Sequence, residues 1–159
     1  MFVDTNVLVY AHDASETARQ PIAQAVLAEL WRSRSGALST QVLQEFYVVA
    51  TRKYDPPMSR REARDLVDAY SNWQLVQIDV QLIISASQLE EGHTLSFWDA
   101  LIVEAARRAG ATRLVTQELE RLADADDRYE DAQRRAERAL GRTAPRGGRH
   151  WTRDDLHQR

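Results

Sequence analysis

The stretch Phe2-Val3-Asp4-Thr5-Asn6-Val7-Leu8-Val9-Tyr10-Ala11 opens the chain with one aspartate inside a long apolar run. Residues 2–4 are typical of a short buried strand, and Thr5-Asn6 indicates a turn or the start of a helix. A carboxylate in apolar surroundings is costly unless a partner satisfies it. Asp4 is therefore either the cap of the following helix or part of a functional site.

Three further acidic residues lie where an apolar segment ends or turns: Glu45 in Leu43-Gln44-Glu45-Phe46, Asp99 in Phe97-Trp98-Asp99-Ala100, and Glu118 just after Thr116. Each also has a purely structural explanation. Glu45 could lie at the edge of an apolar helix face. Ser96 and Asp99 have the spacing of a capping box, and Glu118 could simply start a helix.

Strand and helix signals alternate along the chain. Apolar runs predict further strands at residues 37–39, 75–79 and 112–116, and helical spacing or capping signals predict helices at 21–33, around 42–49, from 59, at 82–92 and at 96–109. Such alternation favours an α/β fold with a mostly parallel sheet covered on both faces. Ligands of these sheets bind beyond the carboxyl ends of the strands. Asp4 and Glu118 lie at or just past such ends.

Acids that converge on one sheet edge repel one another. Two carboxylates about 4 Å apart repel by roughly 1 kcal/mol in water and roughly 4 kcal/mol at an effective dielectric of 20. A divalent cation relieves this repulsion, and ligands that are all oxygen favour Mg²⁺ or Mn²⁺. Because such ions also bind phosphates and activate water, the pattern predicts hydrolysis of a phosphodiester.

Composition excludes several classes of protein. The chain has 159 residues, a net charge of −3 and no cysteine, so disulfides and thiolate metal sites are excluded. A protein with this charge is not a generally basic nucleic-acid binder. No apolar run of about 18 residues predicts a membrane span, and the first residues lack the pattern of a signal peptide. We therefore expect a cytoplasmic protein.

Four segments in order resemble one known family. They are Asp4-Thr5-Asn6-Val7-Leu8-Val9-Tyr10-Ala11, Gln44-Glu45-Phe46, Ser96-Phe97-Trp98-Asp99-Ala100-Leu101-Ile102 and Leu114-Val115-Thr116. Over roughly residues 1–120 the chain resembles the PIN-domain nucleases, above all the VapC-type toxins of bacterial toxin–antitoxin pairs. The resemblance implies a three-layer α/β/α fold with a sheet of four to five strands. It also implies a metal-dependent endoribonuclease, an antitoxin partner and a homodimer.

The resemblance also implies residue roles. Asp4, Glu45 and Asp99 would be catalytic and would bind Mg²⁺ or Mn²⁺, with Thr5, Asn6 and Thr116 as supporting polar residues. The family usually has aspartate two residues after the fourth strand, where this chain has Glu118. Glutamate is one methylene longer and can still reach the site, so we include Glu118 as the fourth catalytic residue and metal ligand.

The last third of the chain departs from the family pattern. Residues 117–159 hold ten arginines and ten acids, and no Val, Ile, Phe or Met follows Thr116. The additional apolar strand that normally closes the family's fold has no counterpart there. We expect a nuclease domain at residues 1–120, followed by an atypical polar helix and flexible tail at 121–159.

A basic cluster follows the helix that carries Glu45. It contains Arg52, Lys53, Arg60, Arg61 and Arg64, against two acids, Asp55 and Glu62. We expect the cluster to contact RNA phosphates, although an ordinary solvated face is an equal alternative. The aromatic residues Trp31, Tyr47, Tyr54, Tyr70 and Trp73 are expected to be mostly core, with a minority lining a groove for an antitoxin helix.

Two other functions compete with the ribonuclease. Glu118 and the unusual tail favour a catalytically degenerate PIN-like module that binds RNA or a protein partner. A receiver-like domain that transfers a phosphoryl group to aspartate would need a late lysine, and the only lysine is Lys53. The receiver-like alternative is therefore the weakest.

Overall fold

The computed structural model describes residues 1–115, in which four short strands alternate with helices. The strands are β1 (Phe2–Val3), β2 (Ala37–Ser39), β3 (Gln74–Val76) and β4 (Leu114–Val115). The helices are α1 (Thr5–His12), α2 (Gln20–Ser33), α3 (Thr40–Arg52), α4 (Arg60–Tyr70), α5 (Val80–Gly92) and α6 (Phe97–Arg108). None of these helices is long and apolar enough to cross a membrane.

The sheet is parallel throughout, in the order β3-β2-β1-β4. Successive strands step from β1 to β3 in one direction, and the chain then returns to place β4 on the other side of β1. Right-handed crossovers therefore put α1–α4 on one face and α5 and α6 on the other. The packing agrees, since α1 contacts α2 and α3, α3 contacts α4, and α5 contacts α6. The predicted three-layer fold is confirmed.

The reversal of strand order determines where a ligand can bind. In open parallel sheets the crevice lies beyond the carboxyl ends of the strands that flank such a reversal. Here those strands are β1 and β4, which pair with Phe2 opposite Leu114 and Val3 opposite Val115. Asp4 is the next residue after β1, so the topology alone places it at this crevice.

Local capping explains why the helices begin where they do. The predicted capping box at the start of α4 is confirmed, because the Ser59 hydroxyl accepts from Glu62 N and the Glu62 carboxylate accepts from Ser59 N. Asp79 caps α5 and Ser96 caps α6. After α6, Gly110 has φ 65°, the left-handed conformation expected of a glycine that ends a helix.

Several predicted elements differ in extent from the structure, among them the strand expected at 112–116, which begins at Leu114 as β4. The strand expected at 75–79 is β3 at Gln74–Val76, because Asp79 turns its carboxylate to Leu82 N as the cap of α5. The run from Thr5, predicted as a turn or helix start, is helical at once. Most of α1 is buried, because α2 and α3 both pack against it. Thr116, the predicted end of the fourth strand, lies outside the described residues.

Candidate metal centre

Asp4 stands at the junction of the sheet and the first helix. Its backbone N–H donates to Val115 O (2.9 Å), which continues the pairing of β1 with β4. Its Oδ1 accepts from Thr5 N (2.6 Å), so Asp4 is the N-cap of α1. The side chain is buried, with 4% exposed. Capping and a role in a site are compatible, because a carboxylate has two oxygens and several acceptor positions.

Glu45 lies in the middle of α3 and points inward. It is 4% exposed, so it is not at the edge of the helix face. Its Oε2 accepts from the Thr5 hydroxyl (2.6 Å) and its Oε1 accepts from Gln41 Nε2 (2.8 Å). Hydrogen bonds to both carboxylate oxygens restrict the orientation of the group.

Asp99 lies in the first turn of α6 and is 6% exposed. Its backbone N–H donates to Ser96 Oγ (3.2 Å), and the Ser96 hydroxyl donates to Asp99 Oδ2 (2.5 Å). The helix N-terminus is also a favourable place for a negative charge. Ser96 therefore caps α6 by accepting from the backbone N–H of Asp99, as the capping explanation predicts. Its hydroxyl also donates to the Asp99 carboxylate and fixes the orientation of that group.

Hydrogen bonds connect these segments across the molecule. Asp4 adjoins Thr5, Thr5 donates to Glu45, and Gln41 donates both to Glu45 and to the carbonyl of Trp98 (3.3 Å). Trp98 is the residue before Asp99. The three segments that carry these carboxylates, up to 95 positions apart in the sequence, are thus linked by contacts between α1, α3 and α6.

The donor chemistry of this region suits a hard divalent cation. Its ligands would be buried carboxylate oxygens, which Mg²⁺ and Mn²⁺ prefer. Gln41 Oε1 is a further buried oxygen, and it has no hydrogen-bond partner in the part of the chain that the structure describes. Within residues 1–115, no group of three or more His, Asp or Glu side chains is spaced to hold a metal ion. Glu118, the expected fourth ligand, lies outside those residues, as does Thr116.

The sequence matches the PIN domain family over residues 1–134. The chain belongs to the PIN domain family. Its fold is similar to the crystal structure of VapC20 from Mycobacterium tuberculosis, described as a sarcin–ricin loop cleaving toxin, with a TM-score of 0.56. The two sequences are 20% identical, and the match covers 80% of this chain and 98% of the other. No curated protein matches the sequence.

Thr5 and Asn6, two predicted supporting residues of this PIN domain, have different surroundings. Thr5, predicted as a supporting residue, contacts Glu45 directly, whereas Asn6 is partly exposed on α1. Gln41 was not identified from the sequence. The available signal was its position one helical turn before Glu45, since residues four apart on a helix are neighbours.

The predicted RNA-contact residues lie on the α3–α4 side of the PIN domain. Arg52 is the last residue of α3, Lys53 follows it, and Arg60, Arg61 and Arg64 are in the first turns of α4. The four arginines are exposed and Lys53 is partly buried. At about 1.5 Å per residue, Arg52 is about 10 Å beyond Glu45 along α3. Contact between this cluster and RNA stays a prediction.

The aromatic residues are mostly core, as expected. Tyr54 and Tyr70 are buried, and burial raises the pKa of Tyr70 to about 12. Trp73 and Tyr47 are partly buried. Trp31 on α2 is 41% exposed and packs its ring against Tyr70 and Trp73. Trp31 is thus the member of the group that is available to a partner.

Proposed function

We propose that the chain is an endoribonuclease that depends on Mg²⁺ or Mn²⁺ and hydrolyses RNA phosphodiester bonds as the toxin of a type II toxin–antitoxin pair. The observation that carries the proposal is the hydrogen-bond path that links Asp4, Glu45 and the start of α6 at the carboxyl ends of a parallel sheet. Membership of the PIN domain family, to which nucleases belong, supports it.

In this proposal Asp4, Glu45, Asp99 and Glu118 hold the cation. When bound, the cation lowers the pKa of a water and stabilises charge on the phosphoryl group. Thr5 holds Glu45 in one orientation, and Ser96 does the same for Asp99. Preorganised carboxylates of this kind bind a cation without first having to reorient. Asn6 and Thr116 complete the polar surroundings.

The substrate must bring phosphates to an acidic crevice. The basic cluster of Arg52, Lys53, Arg60, Arg61 and Arg64 supplies positive charge on the flank of the helix that bears Glu45. Such contacts position a nucleic acid without reading its sequence. Because VapC20 is described as cleaving the sarcin–ricin loop, a structured ribosomal RNA loop is the first substrate to test.

Two exposed apolar patches support the proposed protein partners. Trp31 on α2 is exposed beside the rings of Tyr70 and Trp73 and would receive an apolar side chain of an antitoxin. Val80, Ile83 and Ile84 are exposed at i, i+3 and i+4 on α5, a spacing that forms one apolar stripe. We assign this α5 stripe to the homodimer.

The proposed function also places the protein in the cytoplasm, because a toxin that cleaves cellular RNA acts where that RNA is found.

A catalytically degenerate module that binds RNA or a protein is the second candidate. Two observations favour it: no group of three or more potential ligands within residues 1–115 is spaced for a metal, and Glu118 replaces the aspartate expected after the fourth strand. Such a module would keep the fold and the basic cluster but would not cleave RNA at any metal concentration.

Cleavage assays on the full chain distinguish the two. RNA containing the sarcin–ricin loop is incubated with increasing Mn²⁺ or Mg²⁺, and with EDTA. We expect metal-dependent cleavage by the native sequence and none by Asp4→Asn or Asp99→Asn. Asp68→Asn, at an exposed position of α4, is the matched control and should cleave normally. Full cleavage by the Asp4 and Asp99 variants would exclude the nuclease mechanism, and RNA binding without cleavage would favour the degenerate module.

A further inference from the structure

The buried carboxamide of Gln41 has an incomplete set of hydrogen bonds. Gln41 is the second residue of α3 and is 3% exposed. Its Nε2 donates to Glu45 Oε1 (2.8 Å) and to Trp98 O (3.3 Å). Its Oε1 is buried and has no hydrogen-bond partner within residues 1–115. Buried polar atoms are normally hydrogen-bonded, so an unpaired one requires an explanation.

Exchanging the positions of the nitrogen and oxygen of the Gln41 carboxamide does not complete its hydrogen bonds. Both groups that face Nε2 are acceptors, namely a carboxylate oxygen and a backbone carbonyl, so only the nitrogen can point toward them. The two N–H groups of Gln41 are therefore committed to Glu45 and to Trp98. The oxygen is directed elsewhere in the same buried region and can only accept.

The two donated bonds connect separate parts of the site. One holds a carboxylate of α3, and the other holds the backbone immediately before Asp99 on α6. Loss of the carboxamide would remove one of the donors to Glu45 and would break the hydrogen bond that joins α3 to the first turn of α6. The relative placement of two acidic side chains therefore depends on one glutamine.

We infer that Gln41 is a positioning residue of the proposed cation site, which sets Glu45 relative to Asp99 and would offer Oε1 to a hydration water of a cation bound there. Mg²⁺ keeps several of its waters when it binds to carboxylates, and these waters need acceptors for their protons. The Gln41 carboxamide, whose nitrogen donates to Glu45, carries such an acceptor in its buried Oε1. The inference rests on the proposed function, because it concerns the same site.

The test measures Mn²⁺ binding directly, by calorimetry on the full chain, together with the melting temperature in the absence of metal. Gln41→Met keeps the length of the side chain and removes both hydrogen-bonding groups. Groups that orient metal ligands typically change metal affinity by about 10- to 100-fold when they are removed. We expect a rise of that size in the Mn²⁺ Kd of Gln41→Met, with a lower kcat and an unchanged KM for RNA. Gln44→Met, at an exposed position of the same helix, is the matched control.

A second variant distinguishes the loss of these hydrogen bonds from misfolding of the chain. Gln41→Asn keeps a carboxamide but is one methylene shorter, so it cannot span Glu45 and Trp98 together, and it should weaken Mn²⁺ binding in the same way. Native Mn²⁺ affinity in a folded Gln41 variant would overturn the inference. So would the unfolding of both variants without metal, because Gln41 would then be a core residue. If the native chain itself binds no Mn²⁺, the proposed function fails and the inference fails with it.

Discussion

Thr5 Oγ1 donates a hydrogen bond of 2.6 Å to Glu45 Oε2, although the two residues are 40 positions apart. Thr5 is the first residue of α1 and follows Asp4, while Glu45 is in the middle of α3. Both side chains are buried, where a hydrogen bond to a carboxylate is stronger than at the surface. This bond thus fixes the position of the Glu45 carboxylate relative to Asp4, the residue that follows β1.

Replacing Thr5 by Val should test that relation. The side chain keeps its shape but loses its donor, and a buried carboxylate oxygen left short of a donor costs roughly 1–3 kcal/mol. We expect a lower melting temperature and cleavage that is slower by about 10- to 100-fold. Thr5→Ser keeps the hydroxyl and should retain most of the activity. Cleavage at the native rate by the valine variant would mean that the bond does not orient Glu45.

Replacing Arg60, Arg61 and Arg64 together by Gln should weaken RNA binding. Each phosphate contact to single-stranded nucleic acid makes the slope of log K against log salt more negative by about 0.7. If all three arginines make such contacts, the triple variant should therefore have a slope that is less steep by about 2. The measurement is RNA affinity over a salt series in the Asp4→Asn background, which prevents cleavage. Arg32→Gln with Arg34→Gln, at exposed positions near the end of α2, provides the comparison. Equal slopes in both sets would assign the cluster to an ordinary solvated face.

Gly36 lies where the side chain of Trp73 packs against the backbone. A Cβ at this position would overlap three atoms of the Trp73 ring. The ring is partly buried against the core, so it must move, and overpacking of this kind costs about 1–3 kcal/mol. We expect Gly36→Ala to lower the free energy of unfolding by that amount in denaturant titrations. Gly92→Ala has open space around it and should be neutral or slightly stabilising. Two equally stable variants would contradict the close packing.

His12 should make stability depend on pH. Burial lowers the pKa of its imidazole below the ordinary value of about 6.5, and Nε2 lies 3.0 Å from the Tyr70 hydroxyl. As pH falls, the unfolded chain takes up the proton first, so the His12 contribution to stability is lost from about 6.5 down to the folded-state pKa. His12→Phe should therefore show a smaller drop in melting temperature between pH 7.5 and 5.5. The same drop in both proteins would show that other groups cause it.

The gap between prediction and structure is clearest on α2. The sequence offers two apolar stripes, one with Ile22 and one with Trp31, and either could face the core. In the structure the buried positions are Ala23, Leu27 and Leu30, and Ile22 and Trp31 are exposed. Helix α1 packs against α2 and thereby determines which residues of α2 are buried. A hydrophobic pattern shows that a helix has an apolar face, but its neighbour decides which part of that face is covered.

The sequence by itself determined the alternation of strands and helices, the caps at Ser59 and Ser96, and the placement of acids at the ends of apolar segments. These features follow from local preferences and from hydrophobic spacing, which a short window of residues contains. Only the tertiary structure decided that Thr5 and Gln41 would share the two oxygens of Glu45. Such contacts join distant segments, and their geometry depends on how the sheet aligns the helices, which no single segment encodes.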